Sequence, residues 1–438
     1  MNILNQHFYL ESSLNINLKI LTMKTKYLIY SVLLGALIFG SCEKEKDDTP
    51  ETIFRSGTVE GVWKKNSKII VNGHLIVPEG KSLTIEDGVK VIVNDTTMGI
   101  EILVYGNLYS KGTPSNPVIF TVADSLKSKK IFPRLWGGIL CGPTSEELFI
   151  DNTIIEYTGF VTTEESPSVK AGFFKAKAGE GLPAINFKNT NGKVVIMNSV
   201  FRNLGEDCFY LEGGNIIITN NVIYTQGETG GDAINLKSGC IADICFNLIY
   251  SPNTNGLKLS NSGDRTPQCH VVAYNNTIVN AGWRRPTVKG GSIWLESGVY
   301  AELWNNMIVN CRFGIKNNSK DPADNRSIYD YTYYYGYTQE CVDNFQSGIK
   351  DVVRGNNDIA ATLAQQNDPL FENYPLDTDL NNAVFNTNWD FHLKLNSPAL
   401  SGGKTNFTRN FATNGVVVEG KTYYSPEPKP HFGAYGTK

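Results

Sequence analysis

The chain has 438 residues, with 40 Lys and Arg against 43 Asp and Glu, and a formal net charge of −3. It lacks the basic footprint of a nucleic-acid-binding protein. A chain this long usually splits into several compact cores, unless it grows in one dimension as a repeat.

Residues 1–22 show no clear pattern. From Met23, a second candidate start, come Lys24, Lys26, an apolar run from Tyr27 to Phe39, and Gly40-Ser41-Cys42. A basic start, a short apolar run and small residues before a cut read as a secretory signal. The run is too short for a membrane-spanning helix. Ile38-Phe39-Gly40-Ser41-Cys42 resembles a bacterial lipobox. That resemblance implies cleavage before Cys42 and lipidation of Cys42, with the lipid bilayer as a partner. Each buried acyl CH₂ contributes about 0.8 kcal/mol, so two or more chains anchor firmly. Residues 1–41 are thus read as upstream extension and signal, and 42–56 as a flexible tether, because 43–52 are charged and apolar-free. Lys46-Asp47-Asp48 resembles the tag that sends some lipoproteins to the outer face. The expected location is the outer membrane, lipid-anchored and facing the exterior.

From Gly57 onward, short apolar runs such as Ile69-Ile70-Val71 and Val89-Lys90-Val91-Ile92-Val93 are punctuated by Gly and Pro, as strands are. Lys81 to Gly88, Gly106 to Thr113 and Asn116 to Thr121 resemble the opening coils of right-handed parallel β-helix surface proteins. Asn152, before Thr153-Ile154-Ile155, reads as an early ladder position. Thr162 to Gly181 is an insertion rich in Lys, Ala, Gly and Glu.

Between Lys193 and Ser319 one phrase recurs: an apolar run, an Asn, another apolar run, a polar loop, then an alternating stretch. The Asn residues are Asn198, Asn221, Asn247, Asn276 and Asn306, at spacings of 23, 26, 29 and 30 residues. Such periods signal a solenoid or a propeller. Alternation such as Ala233-Ile234-Asn235-Leu236-Lys237 reads as strand, and three short strands per period fit one coil of a parallel β-helix. This refrain resembles the right-handed parallel β-helix proteins, whose corner amides stack into a ladder. The expected fold is all-β: a right-handed parallel β-helix over 57–319, an irregular Tyr-rich insertion over 320–369, and a closing coil and cap over 370–438. Tyr329 to Tyr337, with six Tyr in nine residues, reads as a packed loop or a sugar-stacking surface. An exposed strand edge needs such a cover. With Cys42 acylated, seven scattered cysteines remain. They form neither a disulfide framework nor a zinc motif, and read as small packing residues.

The strand after each polar loop aligns by its inward pair: Ile185/Phe187, Phe209/Leu211, Ile234/Leu236, Leu257/Leu259 and Ile293/Leu295. The residues between them face outward, and coils about 4.8 Å apart stack them into columns. One column is Asn186, Tyr210, Asn235, Lys258, Trp294, Lys316; the next holds Lys188, Glu212, Lys237, Ser260, Glu296 and Asn318. Asp207 and Asp232 precede the strand on adjacent coils, and Trp283, Arg284 and Arg285 lie in a loop. Tyr210, Asn235, Lys237, Trp283, Trp294 and Glu296 are the candidate sugar-binding residues. Asp207 and Asp232 would repel unless one is protonated or a cation lies between them, and oxygen ligands suit Ca²⁺. Lyase chemistry needs a base and positive charge at a uronate, which Lys258, Arg284 or Arg285 and calcium would supply. That set resembles the chondroitinase B and alginate lyase group, although its local motifs have no residue-by-residue match. Pectin hydrolases of this fold carry Asn-Thr-Asp and Gly-His-Gly, and neither is present.

Three readings stay open: a surface protein that binds polysaccharide without cleaving it, a calcium-assisted lyase of acidic polysaccharide, and an adhesion or structural rod. A monomer that binds no nucleic acid is expected.

Overall fold

The computed structural model describes residues 51–127, 130–285 and 289–438. The signal expected over 1–41 and the lipidation expected at Cys42 lie outside the described residues. Pro50 to Lys438 forms one compact unit. It is almost all β, with two short helices at Pro167–Lys170 and Gln339–Asp343.

Each coil contributes three short strands, as in Gly214–Thr219, Val222–Gln226 and Ile234–Leu236. We call the sheets they build the first, second and third. The first has ten parallel strands; the second and third run together as 19 strands, because the long strand Lys68–Val77 serves both. The solenoid begins at Thr52, not 57: Thr52–Thr58 pairs in parallel with Lys68–Val77. The expected tether therefore loses its last residues to a strand, where backbone pairing alone suffices to order a largely exposed segment. It also continues past 319. Ile328–Asp330 and Tyr333–Tyr335 pair with Tyr300–Trp304 and Met307–Val309, so the Tyr-rich stretch is a final coil, not an irregular loop.

Inward residues of all three sheets fill one continuous core that includes Ile185, Phe209, Ile234, Leu257 and Ile293. All seven cysteines of the described residues are buried and unpaired. Burial pushes the Cys141 thiol up to about 12, which removes its thiolate reactivity.

The bend between first and second sheets shows why the coils stay in register. Its first residue takes positive φ in coil after coil: Asn152, Asn198, Asn220, Phe246, Asn275, Asn305 and Tyr331. The next residue is the ladder position. Asn247 Oδ1 accepts from the Asn221 backbone N–H at 3.1 Å and from its Nδ2 at 3.0 Å. Asn276 does the same for Asn247, and Asn306 for Asn276. Asn221 Oδ1 in turn accepts from the Ser199 N–H at 3.0 Å, and Ser199 Oγ from the Thr153 N–H at 3.0 Å. Asn198 and Asn152 are therefore not ladder residues. They occupy the preceding left-handed position, which Asn tolerates for a different reason, and Ser199 and Thr153 fill the ladder.

The cap differs from expectation too. The last coil is covered by 338–359: the Thr332 N–H donates to Asp358 Oδ1 at 2.8 Å and the Tyr334 N–H to the Ile359 carbonyl at 2.8 Å. Residues 370–438 instead run back along the flanks as a strap. Phe371, Tyr374, Phe391 and Phe432 cover the outward aromatic face of the second sheet, including Tyr250 and Tyr335. Phe411, Val416 and Val418 cover Phe149, Val195 and Ile217 of the first. Asp243, buried in the first sheet, accepts from the Asn410 and Phe411 N–H groups and from Ser425 Oγ, which pins the strap. The outward faces of these two sheets are apolar here, so leaving them bare would expose a large hydrophobic patch.

The ladder yields a direct contrast. Asn247→Ala strands the Asn221 donors inside the bend and should lower stability by about 3 kcal/mol. Asn198→Ala removes an exposed left-handed Asn and its surface bond to Asp151 Oδ1, and should cost about 1 kcal/mol. Denaturant midpoints of the two variants measure this, and equal shifts would contradict the ladder described here.

Candidate functional site

The outward face of the third sheet carries the expected column. Parallel pairing places Leu103, Leu140, Asn186, Tyr210, Asn235, Lys258, Trp294 and Lys316 one above the next. The first members, Leu103 and Leu140, are apolar and lie under Phe173 and Phe174 of the insertion and Leu182 just after it. At the other end, 344–352 folds over Lys316: its strand forms a bridge to Val352, and the Asn317 N–H donates to the Asp351 carbonyl at 3.0 Å. Between these covers lie Asn235, Lys258 and their neighbours.

Two acidic groups enter from the polar loops. Asp207 Oδ1 accepts from the Asp232 N–H at 2.7 Å; Asp232 Oδ1 accepts from the Asn255 N–H at 3.1 Å and its Nδ2 at 2.7 Å. Asp207, Asp232 and Asn255 are thus a second side-chain ladder, beside the third sheet. The remaining carboxylate oxygens converge on Asn235, whose Nδ2 donates to Asp207 Oδ2 at 2.9 Å and to Asp232 Oδ2 at 3.3 Å. Asn235 is 4 % exposed, and its Oδ1 has no partner. Burial, then the charges of Asp232 and Glu206, push the Asp207 carboxyl up to about 7. Asp207 is therefore about half-protonated at neutral pH, which eases the repulsion between two stacked carboxylates.

Cations follow on the next coils. Lys258 Nζ meets Glu296 Oε1 at 3.3 Å, and Glu296 Oε2 accepts from Trp294 Nε1 at 2.7 Å. Lys237 is buried, with its ammonium 5.5 Å from the centre of the Tyr210 ring, and it forms no ion pair among the described residues. Burial, then the neighbouring Lys258, lower its pKa.

Several expected site residues do something else. Arg284 donates to the carbonyls of Gly227, Gln226 and Ser251 at 2.6, 2.9 and 2.6 Å, and its guanidinium lies over Phe132. It ties loops together, because three carbonyls converge within its fork. Arg285 donates to the Thr229 carbonyl at 2.7 Å, and its own carbonyl accepts from Arg312. Trp283 is partly buried against the core, and its Nε1 donates to the Asn310 carbonyl at 2.7 Å. The rings of Tyr210 and Trp294 are also largely covered, by Phe174 at 4.9 Å and by the Lys316 ammonium at 4.9 Å. Sequence reasoning missed Phe174, whose signal was an aromatic pair inside an otherwise aromatic-free insertion. It also missed Arg134, which reaches Glu206 at 3.2 Å and Glu228 at 2.9 Å from an earlier coil.

Asp207 makes stability depend on pH with a definite sign. Its folded pKa of about 7 lies above the unfolded value near 3.8, so its contribution is present at low pH and is lost as pH rises through about 7. Asp207→Asn keeps the acceptor for Asp232 and removes the charge. The variant should melt above wild type at about pH 8 and show a flatter melting profile between about pH 5 and pH 8. Superimposable profiles would refute the raised Asp207 pKa.

No cluster of three or more His, Cys, Asp or Glu that could hold a metal occurs among the described residues. Comparison with curated proteins and with solved structures gives no match. A family model described as a pectate-lyase like β-helix domain matches residues 56–163. That stretch ends before Asp207, so it bears on the opening coils and not on the site. Residues 56–163 are a β-helix domain related to the pectate-lyase-like fold.

Proposed function

We propose that the third-sheet face binds an acidic polysaccharide without cleaving it. What carries this reading is Lys237: a buried ammonium with an aromatic ring against it and no carboxylate partner among the described residues. A uronate carboxylate would complete it, since a buried charge needs a partner. Lys258 and Glu296 beside it offer both signs of charge to ring hydroxyls and carboxylates. Cleavage by β-elimination needs a base and a cation clamp on one uronate. Arg284 is committed to backbone carbonyls, and Lys258 to Glu296, which speaks against that clamp. We place the solenoid on the outer face of the outer membrane, held through acylated Cys42.

Calcium is the second reading for Asp207 and Asp232. It would replace the proton on Asp207 if Asn235 turned its unpartnered Oδ1 toward the pair. Calcium takes roughly six to eight oxygens, so Asn255 and bound sugar would have to complete the set. Added calcium raises the melting temperature under this reading and leaves it unmoved under the proton reading.

Titration with oligogalacturonate and oligoalginate tests the proposal. Wild type should bind without releasing unsaturated uronate, and Lys237→Gln should bind about tenfold more weakly with its melting temperature retained. Release of unsaturated product would show the non-catalytic reading to be wrong; undiminished binding by Lys237→Gln would remove its anchor.

A further inference from the structure

A second groove lies on the second sheet, where the strap stops. Under the strap the outward column of that sheet is apolar or aromatic: Tyr224, Tyr250, Val279, Val309 and Tyr335 stack in register. Toward the opening coils the same column turns polar, to Arg202, Glu156 and Thr121. Two cavities of about 360 and 300 Å³ open there, one on each side of Arg202, which lines both.

The groove has a built centre. Glu156 is buried and accepts from Arg202 Nε at 2.6 Å and Thr121 Oγ1 at 2.6 Å. Arg202 also donates to the Tyr224 hydroxyl at 3.2 Å, yet its side chain is 32 % exposed, so it reaches into the groove. The rings of Tyr157, Tyr224 and Phe385 line the first cavity, Phe385 from the edge of the strap and stacked on Tyr224 at 4.2 Å. Tyr157 holds a positive φ of 68°, which is uncommon for a bulky residue and marks a position held by its surroundings.

The rim is cationic. Lys68 and Lys90 are exposed, line the second cavity, and sit directly opposite each other on adjacent strands. Like charges so placed destabilise a sheet, and neither lysine forms an ion pair among the described residues. Lys127, by contrast, is paired with Asp124 at 2.8 Å. A ligand that bridges Lys68, Lys90 and Arg202 must be anionic, and the aromatic wall of the first cavity together with the apolar Ile92 and Ile119 of the second suits a sugar chain more than a bare ion.

We propose that this groove is a second binding site, on a different face from the first, for an anionic sugar chain carrying carboxylate or sulfate groups. The strap edge gives it one wall and the stacked lysines its charge. It does not depend on the third-sheet face being a glycan site.

The test uses the whole mature chain in a Lys237→Gln background, with and without Lys68→Gln and Lys90→Gln. Probes are oligogalacturonate, a sulfated oligosaccharide and inorganic phosphate. Binding that persists in Lys237→Gln and weakens about tenfold on adding the two lysine substitutions supports the proposal, with whichever oligosaccharide binds identifying the charged group. Relief of repulsion should leave the melting temperature of the double substitution equal or higher. Residual binding indifferent to Lys68 and Lys90 overturns it, as does phosphate displacing the sugar at equal concentration, the mark of an adventitious ion only. Loss of all binding in Lys237→Gln alone, with Lys68 and Lys90 intact, also overturns it while leaving the first site standing.

Discussion

Asn221, Asn247, Asn276 and Asn306 pass one hydrogen-bond pattern from coil to coil, each accepting from the backbone of the coil before, and the last three also from its Asn side chain. The bend they occupy is buried, so its polar groups need partners and water cannot supply them. Only one stacking register satisfies them all. A slip of one residue would leave donors orphaned and would turn the apolar strand faces outward. Every outward column is a consequence of that register. So is the side-by-side placement of Asp207 and Asp232, which are 25 residues apart in sequence.

A solenoid held this way has three outward faces, and this chain treats them unequally. The strap closes much of the second sheet and part of the first, which explains why their outward residues can be Tyr, Phe and Val. Among the described residues, the third sheet is covered toward its ends, by the insertion and by 344–352. The polar and charged residues gather where covers are missing: Asn235, Lys237 and Lys258 on one face, and Thr121, Glu156 and Arg202 on another. On both, a cation forms no ion pair among the described residues: Lys237 on the first and the Lys68–Lys90 stack on the second.

Much of this was legible because β-helix geometry is local. The column from Asn186 to Lys316 follows from strict alternation within short strands, and the pairing reproduces it residue for residue. The ladder was misplaced at two coils because two adjacent positions in the bend both favour Asn: Asn152 and Asn198 fit the left-handed residue, while Thr153 and Ser199 take the ladder position. The fate of Arg284 and of the strap could not be read in the same way. Arg284 finds its carbonyls 33 to 58 residues away, and the strap's contacts, such as Thr225 Oγ1 to the Ala383 carbonyl at 2.6 Å, join residues 158 apart. No periodic pattern announces such pairs. The Tyr run was ambiguous for a related reason: its outward rings are apolar only because the strap covers them.

Disulfide trapping measures the register most directly. Asn235 and Lys258 are paired on adjacent strands, at a spacing of about 4.8 Å that a disulfide can bridge. Asn235 and Ser260 are diagonal neighbours, about 7–8 Å apart and beyond that reach. With cysteines at 235 and 258, mild oxidation should give a cross-linked chain of faster mobility in denaturing electrophoresis. Cysteines at 235 and 260 should not. Efficient cross-linking of the second pair, or none of the first, would contradict the stacked columns on which both proposed sites rest.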